Sequence, residues 1–180
     1  MDLIALAREC DVPEIIKSAA YQVVASEHFW ILVARNRRSK VLESVRDSDL
    51  VKLHSAREWL RGRWRELVLV PPGMKRVEPL RLPGGQHAEV RSECLSLEED
   101  ECCARLDHKH RVSSWHRAWK DDIEEGAKDP IGALTLLRTK WLTLSKKWCR
   151  VCLGERWEAW DAARDEWWRH LDGFLDLEKV

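Results

Sequence analysis

Indoles recur along the C-terminal part of this chain at the spacing of one helix face. Trp157, Trp160, Trp167, Leu171 and Leu175 follow one another at three, four or seven residues, with Ala163 or Arg164 between. A stripe at that period buries as one side of a helix and cannot bury as a strand, whose period is two. The same period recurs upstream. Val112, Trp115, Trp119 and Ile123 form one stripe, and Leu134, Leu137, Trp141 and Leu144 another. Leu50, Leu53, Leu60, Trp64 and Leu67 form a third, with a helix expected to run to about Val70. Of 14 aromatic residues 11 are tryptophan, the side chain with the largest apolar area and an N–H that seeks an acceptor. Trp167 and Trp168 are neighbours, so both cannot face inward.

Helix starts punctuate the stripes. Asp11-Val12-Pro13-Glu14 reads as an Asp cap with Pro early in the first turn, and Ile15, Ile16, Ala19, Ala20 and Val23 then mark an apolar face. Ser26-Glu27 ahead of HFWILVA favours helix for that run. Asp47-Ser48-Asp49, Ser96-Leu97-Glu98-Glu99 and Asp129-Pro130 are further starts. Between Val70 and Gln86 stand four of the six prolines and three of the eight glycines, a composition that breaks any helix. No segment has the pattern of a strand. The sequence predicts an all-α fold of six to eight helices in two groups joined by this Pro/Gly-rich loop. The parts are an N-terminal helical part over 1–70, a linker over 71–93 and a Trp-rich helical part over 94–180.

Charge excludes little but weighs on partners. Lys+Arg and Asp+Glu number 31 each, so the net charge is zero and gives no footprint for nucleic acid. A small nucleic-acid-binding protein would have to use the short basic run Arg35-Asn36-Arg37-Arg38, or Arg61 and Arg63, with exposed tryptophan. Such runs more commonly end a helix, where cations suit the dipole. The longest apolar run, HFWILVA, is seven residues, too short for a membrane span, and MDLIALAREC lacks the basic start of a secretory leader. The expected location is the cytoplasm or nucleus.

Cys149 and Cys152 form one Cys-x-x-Cys, which has four readings: two thiolates of a zinc site, two small apolar residues on one helix face, a redox pair, or a surface disulfide. The redox reading needs a preceding strand, and no β pattern is nearby. Cys103, His108 and His110 could supply further donors, although DHKHRV reads first as a solvated helix face and His116 as a boundary residue. Phosphate-loop, dinucleotide, Gly-x-Ser-x-Gly and His-Glu-x-x-His patterns do not occur. Asp121-Asp122 and Glu124-Glu125 are adjacent pairs that coat a helix. The expectation is a protein without catalytic activity.

In order along the chain, several short motifs resemble the large family of BTB/POZ-domain proteins of mushroom-forming fungi. Ala7, Asp11, Val12, Pro13, Ala20 and Tyr21 stand where that family has its Leu-Ala, Asp-Val-Pro and Ala-Leu-Tyr phrases. SDSDLVKLHSAREWLRGRW is similar to its Asp-capped helix with Gly-Arg. Cys94 and Cys102, then Asp129-Pro130-Ile131-Gly132-Ala133-Leu134, then Cys149 and Cys152, then Phe174-Leu175-Asp176-Leu177 match its later elements. Ile16-Lys17-Ser18 departs from its Leu-Pro, and the strands and first helices of the BTB fold have no counterpart here, Met1 falling near its last turn. The resemblance implies the helical region that follows the BTB fold. Its role would be binding a protein partner or a second copy, with a structural zinc ion held by Cys94, Cys102, Cys149 and Cys152. An apolar face around Leu3, Leu6, Ile15 and Ile16 would be open for that contact.

Overall fold

The computed structural model describes residues 12–35, 45–72, 108–140 and 148–176. Six helices account for them: α1 (Pro13–Ala25), α2 (Glu27–Ala34), α3 (Asp47–Val68), α4 (His108–Gly126), α5 (Pro130–Thr139) and α6 (Arg150–Leu175). No strand occurs among the described residues, and the fold is all-α. The Ser96 start, Trp141 and Leu144 lie outside those residues, and α5 is described to Thr139.

The starts are partly those expected. Ser26 caps α2 with its Oγ, which accepts from the Phe29 N–H at 3.2 Å. Asp129 caps α5 ahead of Pro130, its Oδ1 accepting from the Gly132 N–H at 3.1 Å. Two caps differ from expectation. Val12 occupies the cap of α1 and Arg46 that of α3, neither with a side-chain bond. Asp47 and Asp49 lie inside the first turn of α3, where they complement the positive end of the helix.

The long helices α3 and α6 pack together, α1 and α5 lie against them, and α4 closes on α3 and α5. One hydrophobic core results. It takes Ala20, Tyr21 and Val24 from α1, Leu53, Leu60 and Trp64 from α3, and Trp115, Trp119, Trp160 and Trp167 from the C-terminal part. The two groups expected on either side of the Pro/Gly-rich stretch are thus one packed body, because α6 is long enough to touch both. Pro71 and Pro72, at the start of that stretch, are buried.

At the centre four indoles meet edge to face. Trp115 lies 5.3 Å from both Trp119 and Trp148, and Trp119 lies 6.0 Å from Trp160 at 86°. Each buried indole removes some 150–250 Å² from water, worth at most about 4–6 kcal/mol at about 25 cal/mol per Å². That exceeds the roughly 1–3 kcal/mol cost of a buried donor left unbonded. It explains how the Nε1 atoms of Trp119 and Trp160 are tolerated without a hydrogen-bond partner among the described residues. Trp64 and Trp115 do find acceptors. Trp64 Nε1 donates to the Ile123 carbonyl at 2.8 Å, and Trp115 Nε1 to the Val68 carbonyl at 2.6 Å.

In α1 the buried side takes Ala19 and Ala20 of the expected stripe together with Lys17, Tyr21 and Val24, and Ile15, of the face expected to be open, is 46% exposed. Polar anchors hold the buried side inward. The Lys17 ammonium pairs with Asp172 of α6 at 2.7 Å and lies 4.9 Å above the Trp168 ring, while Tyr21 bonds to Asp129. The adjacent indoles divide accordingly, with Trp167 buried and Trp168 half-buried against Tyr21. On α6 it is Ala163, not Arg164, that continues the buried stripe.

Glycine placement gives two substitutions of opposite sign. A Cβ on Gly126 would lie 2.0 Å from Cζ2 of Trp64, whereas one on Gly62, in the exposed middle of α3, meets nothing within 4 Å. Gly126→Ala is expected to lose about 1–3 kcal/mol through overpacking. Gly62→Ala is expected to gain about 0.5–1 kcal/mol from helix propensity. Urea unfolding of the two variants checks both.

Candidate functional site

Three places gather chemistry-bearing side chains. The first is the start of α6. Cys149 is its half-buried cap residue, and Cys152 sits within the first turn, wholly buried in the core that also holds Trp148 and Leu153. Both pack on the core, Cys152 within it and Cys149 partly buried against it. Cys152 packs in the interior, and Cys149 stands just outside the helix. Cys94, Cys102 and Cys103 lie outside the described residues. Among the described residues no group of three or more Cys, His, Asp or Glu side chains is placed to hold a metal ion. Two thiols one turn apart could supply two of the four ligands of a tetrahedral zinc ion.

The second place is the C-terminal end of α3, where helix carbonyls need donors. Trp115 and His116 of α4 serve Val68 and Leu69, the His116 Nε2 lying 3.2 Å from the Leu69 oxygen. Arg111 donates to the Pro72 carbonyl, and Arg156 of α6 to that of Pro71 at 3.1 Å. Arg111 is 1% exposed. Burial lowers the Arg156 guanidinium to about 10, still far above neutrality, so it stays charged. These cations fasten the start of the Pro/Gly-rich stretch to the core. The expected boundary position of His116 agrees with its half-buried place. His110 is exposed, and the His108 side chain lies outside the described residues.

The third place is an open groove of about 390 Å³ where the α1–α2 corner meets the α4–α5 turn. Ala25 and Glu27 line one side, Trp64 of α3 and Gly126 are part of the lining, and Ala133, Leu136 and Leu137 of α5 line the other. Asp122, Glu125, Lys128, Asp129 and Lys140 bring charge to it. Lys128 pairs with Glu125 at 2.6 Å, Lys140 pairs with Asp122, and Glu27 pairs with the buried Arg57 behind it. Burial holds the Arg57 guanidinium below its ordinary range, opposed by the Glu27 charge.

Tyr21 and Asp129 build this corner from residues far apart in sequence. The Tyr21 hydroxyl donates to Asp129 Oδ1 and accepts from the Ile131 N–H at 3.0 Å, so one side chain of α1 braces both the cap and the first turn of α5. Gly132 is required there, because a Cβ would fall 2.1 Å from Asp129 Oδ2. Burial, reinforced by the Asp129 carboxylate, raises the Tyr21 phenol well above its usual value of 10.0.

Several surface aromatic and basic residues are engaged within the molecule. Trp59 stacks on His170 at 4.5 Å and 7°, with Arg63 5.6 Å from its ring centre. Arg61 pairs with Glu58 at 3.8 Å and Arg63 with Glu66 at 3.4 Å. Of the basic run after α2, Arg35 is described and exposed, and Asn36, Arg37 and Arg38 lie outside the described residues. No described helix is long and apolar enough to cross a membrane. Comparison of the chain with protein-family models, with curated proteins and with solved structures finds no match.

The sequence announced the Asp129 cap but not its partner, since nothing local links Tyr21 to a residue 108 positions away. Tyr21→Phe leaves Asp129 and the Ile131 N–H each short of a partner and is expected to lose about 1–3 kcal/mol in urea unfolding. Because the folded-state Tyr21 value is raised, its stabilisation is complete below the unfolded value of 10.0 and declines as pH rises above it. The wild-type chain should therefore lose stability more steeply above pH 10.0 than Tyr21→Phe does, a difference readable by thermal unfolding along a pH series.

Proposed function

We propose that this chain is a non-enzymatic protein–protein interaction module of the kind that follows the BTB fold in the fungal BTB/POZ proteins, acting in the cytoplasm or nucleus on a protein partner or a second copy. The observation that carries the reading is a set of aliphatic side chains left in water on helices held rigidly from behind. Val51 is 66% and Leu136 65% exposed, with Ile15 and Ile31 each more than two-fifths exposed, while the opposite sides of α1, α3 and α5 are locked in the core. Aliphatic groups presented on a stiff framework lose little conformational freedom on binding, which favours association. Ile15 is the described member of the face that the family resemblance points to, and Ile16 beside it is half-buried. Several described acidic residues serve as caps or ion-pair partners, as at Asp129, Asp172 and Glu125, which fits a framework.

A photo-crosslinking amino acid at Ile15, Val51 and Leu136, one position at a time, tests this in cells. Discrete protein adducts at those positions and none at the exposed polar control Ser18 are expected. Equal labelling at all four positions, or none at any, would contradict a binding role.

A structural zinc ion held by Cys94, Cys102, Cys149 and Cys152 belongs to the same proposal. Its support is the thiol pair at the α6 start together with the family pattern. Such an ion would tie the start of the C-terminal part to its last helix. Elemental analysis of the purified chain is expected to give one zinc per molecule, lost in Cys149→Ser, with a lower unfolding temperature after chelation. A metal-free chain indifferent to chelator would leave Cys152 as an apolar packing residue alone.

A further inference from the structure

We infer that the groove between the α1–α2 corner and α5 receives an amphipathic segment of a partner protein, with an arginine or lysine set among its aliphatic residues. The inference rests on the interaction-module reading and names the chemistry of one contact.

The shape of the groove supplies the apolar half of the argument. Trp64 and Leu137 are buried side chains in its wall, and Leu136, the turn's outward neighbour, is 65% exposed. An aliphatic stem laid against them would bury the area that Leu136 now leaves in water. The indole cannot withdraw to close the space. Its Nε1 is bonded to Ile123 and its ring edge sits where a Gly126 side chain would be.

Charge supplies the other half. Four carboxylates line the groove, at Glu27, Asp122, Glu125 and Asp129, against two ammonium groups, at Lys128 and Lys140. Arg57 and, at 4.0 Å, Arg61 offset Glu27 from behind, and the lysines answer Glu125 and Asp122, so Asp129 is the lining carboxylate with no cation paired to it among the described residues. Glu125 is the most open of the pairs' acids, 74% exposed beside its lysine. Both side-chain bonds to Asp129 described above go to Oδ1, which leaves Oδ2 able to accept another donor. A guanidinium on a long stem matches this arrangement, with its carbon chain on apolar surface and its fork of donors at a carboxylate. An acidic segment would meet like charge.

The test uses the whole chain and two fluorescein-labelled peptides of about 12 residues with leucine at helical spacing, one carrying two arginines and the other two glutamates in their place. Fluorescence anisotropy should show the arginine peptide binding at least about tenfold more tightly, and more weakly as salt rises. Leu136→Ser and Glu125→Lys alter exposed side chains and should leave the unfolding temperature unchanged. Each should weaken the arginine peptide by about threefold or more. Equal affinity for the two peptides, no arginine-peptide binding up to about 1 mM, or binding indifferent to both substitutions overturns the inference. Crosslinking at Ile15 or Val51 without any at Leu136 would sink the groove while leaving the interaction module standing. Silence at every crosslinking position would remove the module itself.

Discussion

Burial of indole rings between α4 and α6 is the interaction on which the remaining structure depends. Trp115, Trp119, Trp148 and Trp160 bring together residues from a stretch of chain more than forty positions long. Their area outweighs the unbonded Nε1 atoms of Trp119 and Trp160, so the cluster can sit where packing demands rather than where acceptors lie. Trp64 and Trp115 add direction. Each donates to a carbonyl near the end of a neighbouring helix, which fixes the height of α3 against α4. Aromatic burial and helix capping thus act through the same side chains.

A second layer of polar contacts then orients the helices about that centre. Lys17 with Asp172, Tyr21 with Asp129, and Lys52 with Asp176 at 2.7 Å each join the first third of the chain to its later helices. Asp176 ends α6 in the left-handed conformation at φ 55°, a position that Asp tolerates better than most residues. The groove is a by-product of this layer. Tyr21 pulls the α5 start toward α1, Trp64 fills the space below, and α5 turns Leu136 outward. Protein binding at the groove would therefore report on the packing of all the helices around it, and the proposed zinc ion would act at the other end of α5's partner helix, α6.

Much of the fold was legible from local pattern. Ser26 and Asp129 cap the helices they precede, and Asp129-Pro130 works as a start because the cap oxygen and the fixed proline φ act within one turn. Other local signals were silent or misleading. Lys17 gave no local sign of burial, yet it lies on the inward side of α1 with Asp172 as a distant partner, whereas Ile15, of the face expected to be open, is exposed. The acids around Asp47 looked like a cap and instead entered the first turn. Cys149 and Cys152 do pack on one core as two residues a turn apart, with Cys149 serving as the cap rather than lying within the helix. The expected face also included Leu3 and Leu6, and the expected ligand set Cys94 and Cys102, all outside the described residues.

The sequence by itself determined the helices, since a 3.6-residue stripe of tryptophan and leucine has one economical way to leave water. It also determined where α2 and α5 start, since the Ser26 and Asp129 caps are settled within three residues. Only the tertiary structure decided which side of α1 faces inward, that both halves share a single core, and that Tyr21, Trp64, Asp129 and Leu136 border one groove. Those outcomes depend on contacts between residues tens of positions apart. The free energy of such contacts comes from the geometry of whole helices against each other, which no window of sequence contains.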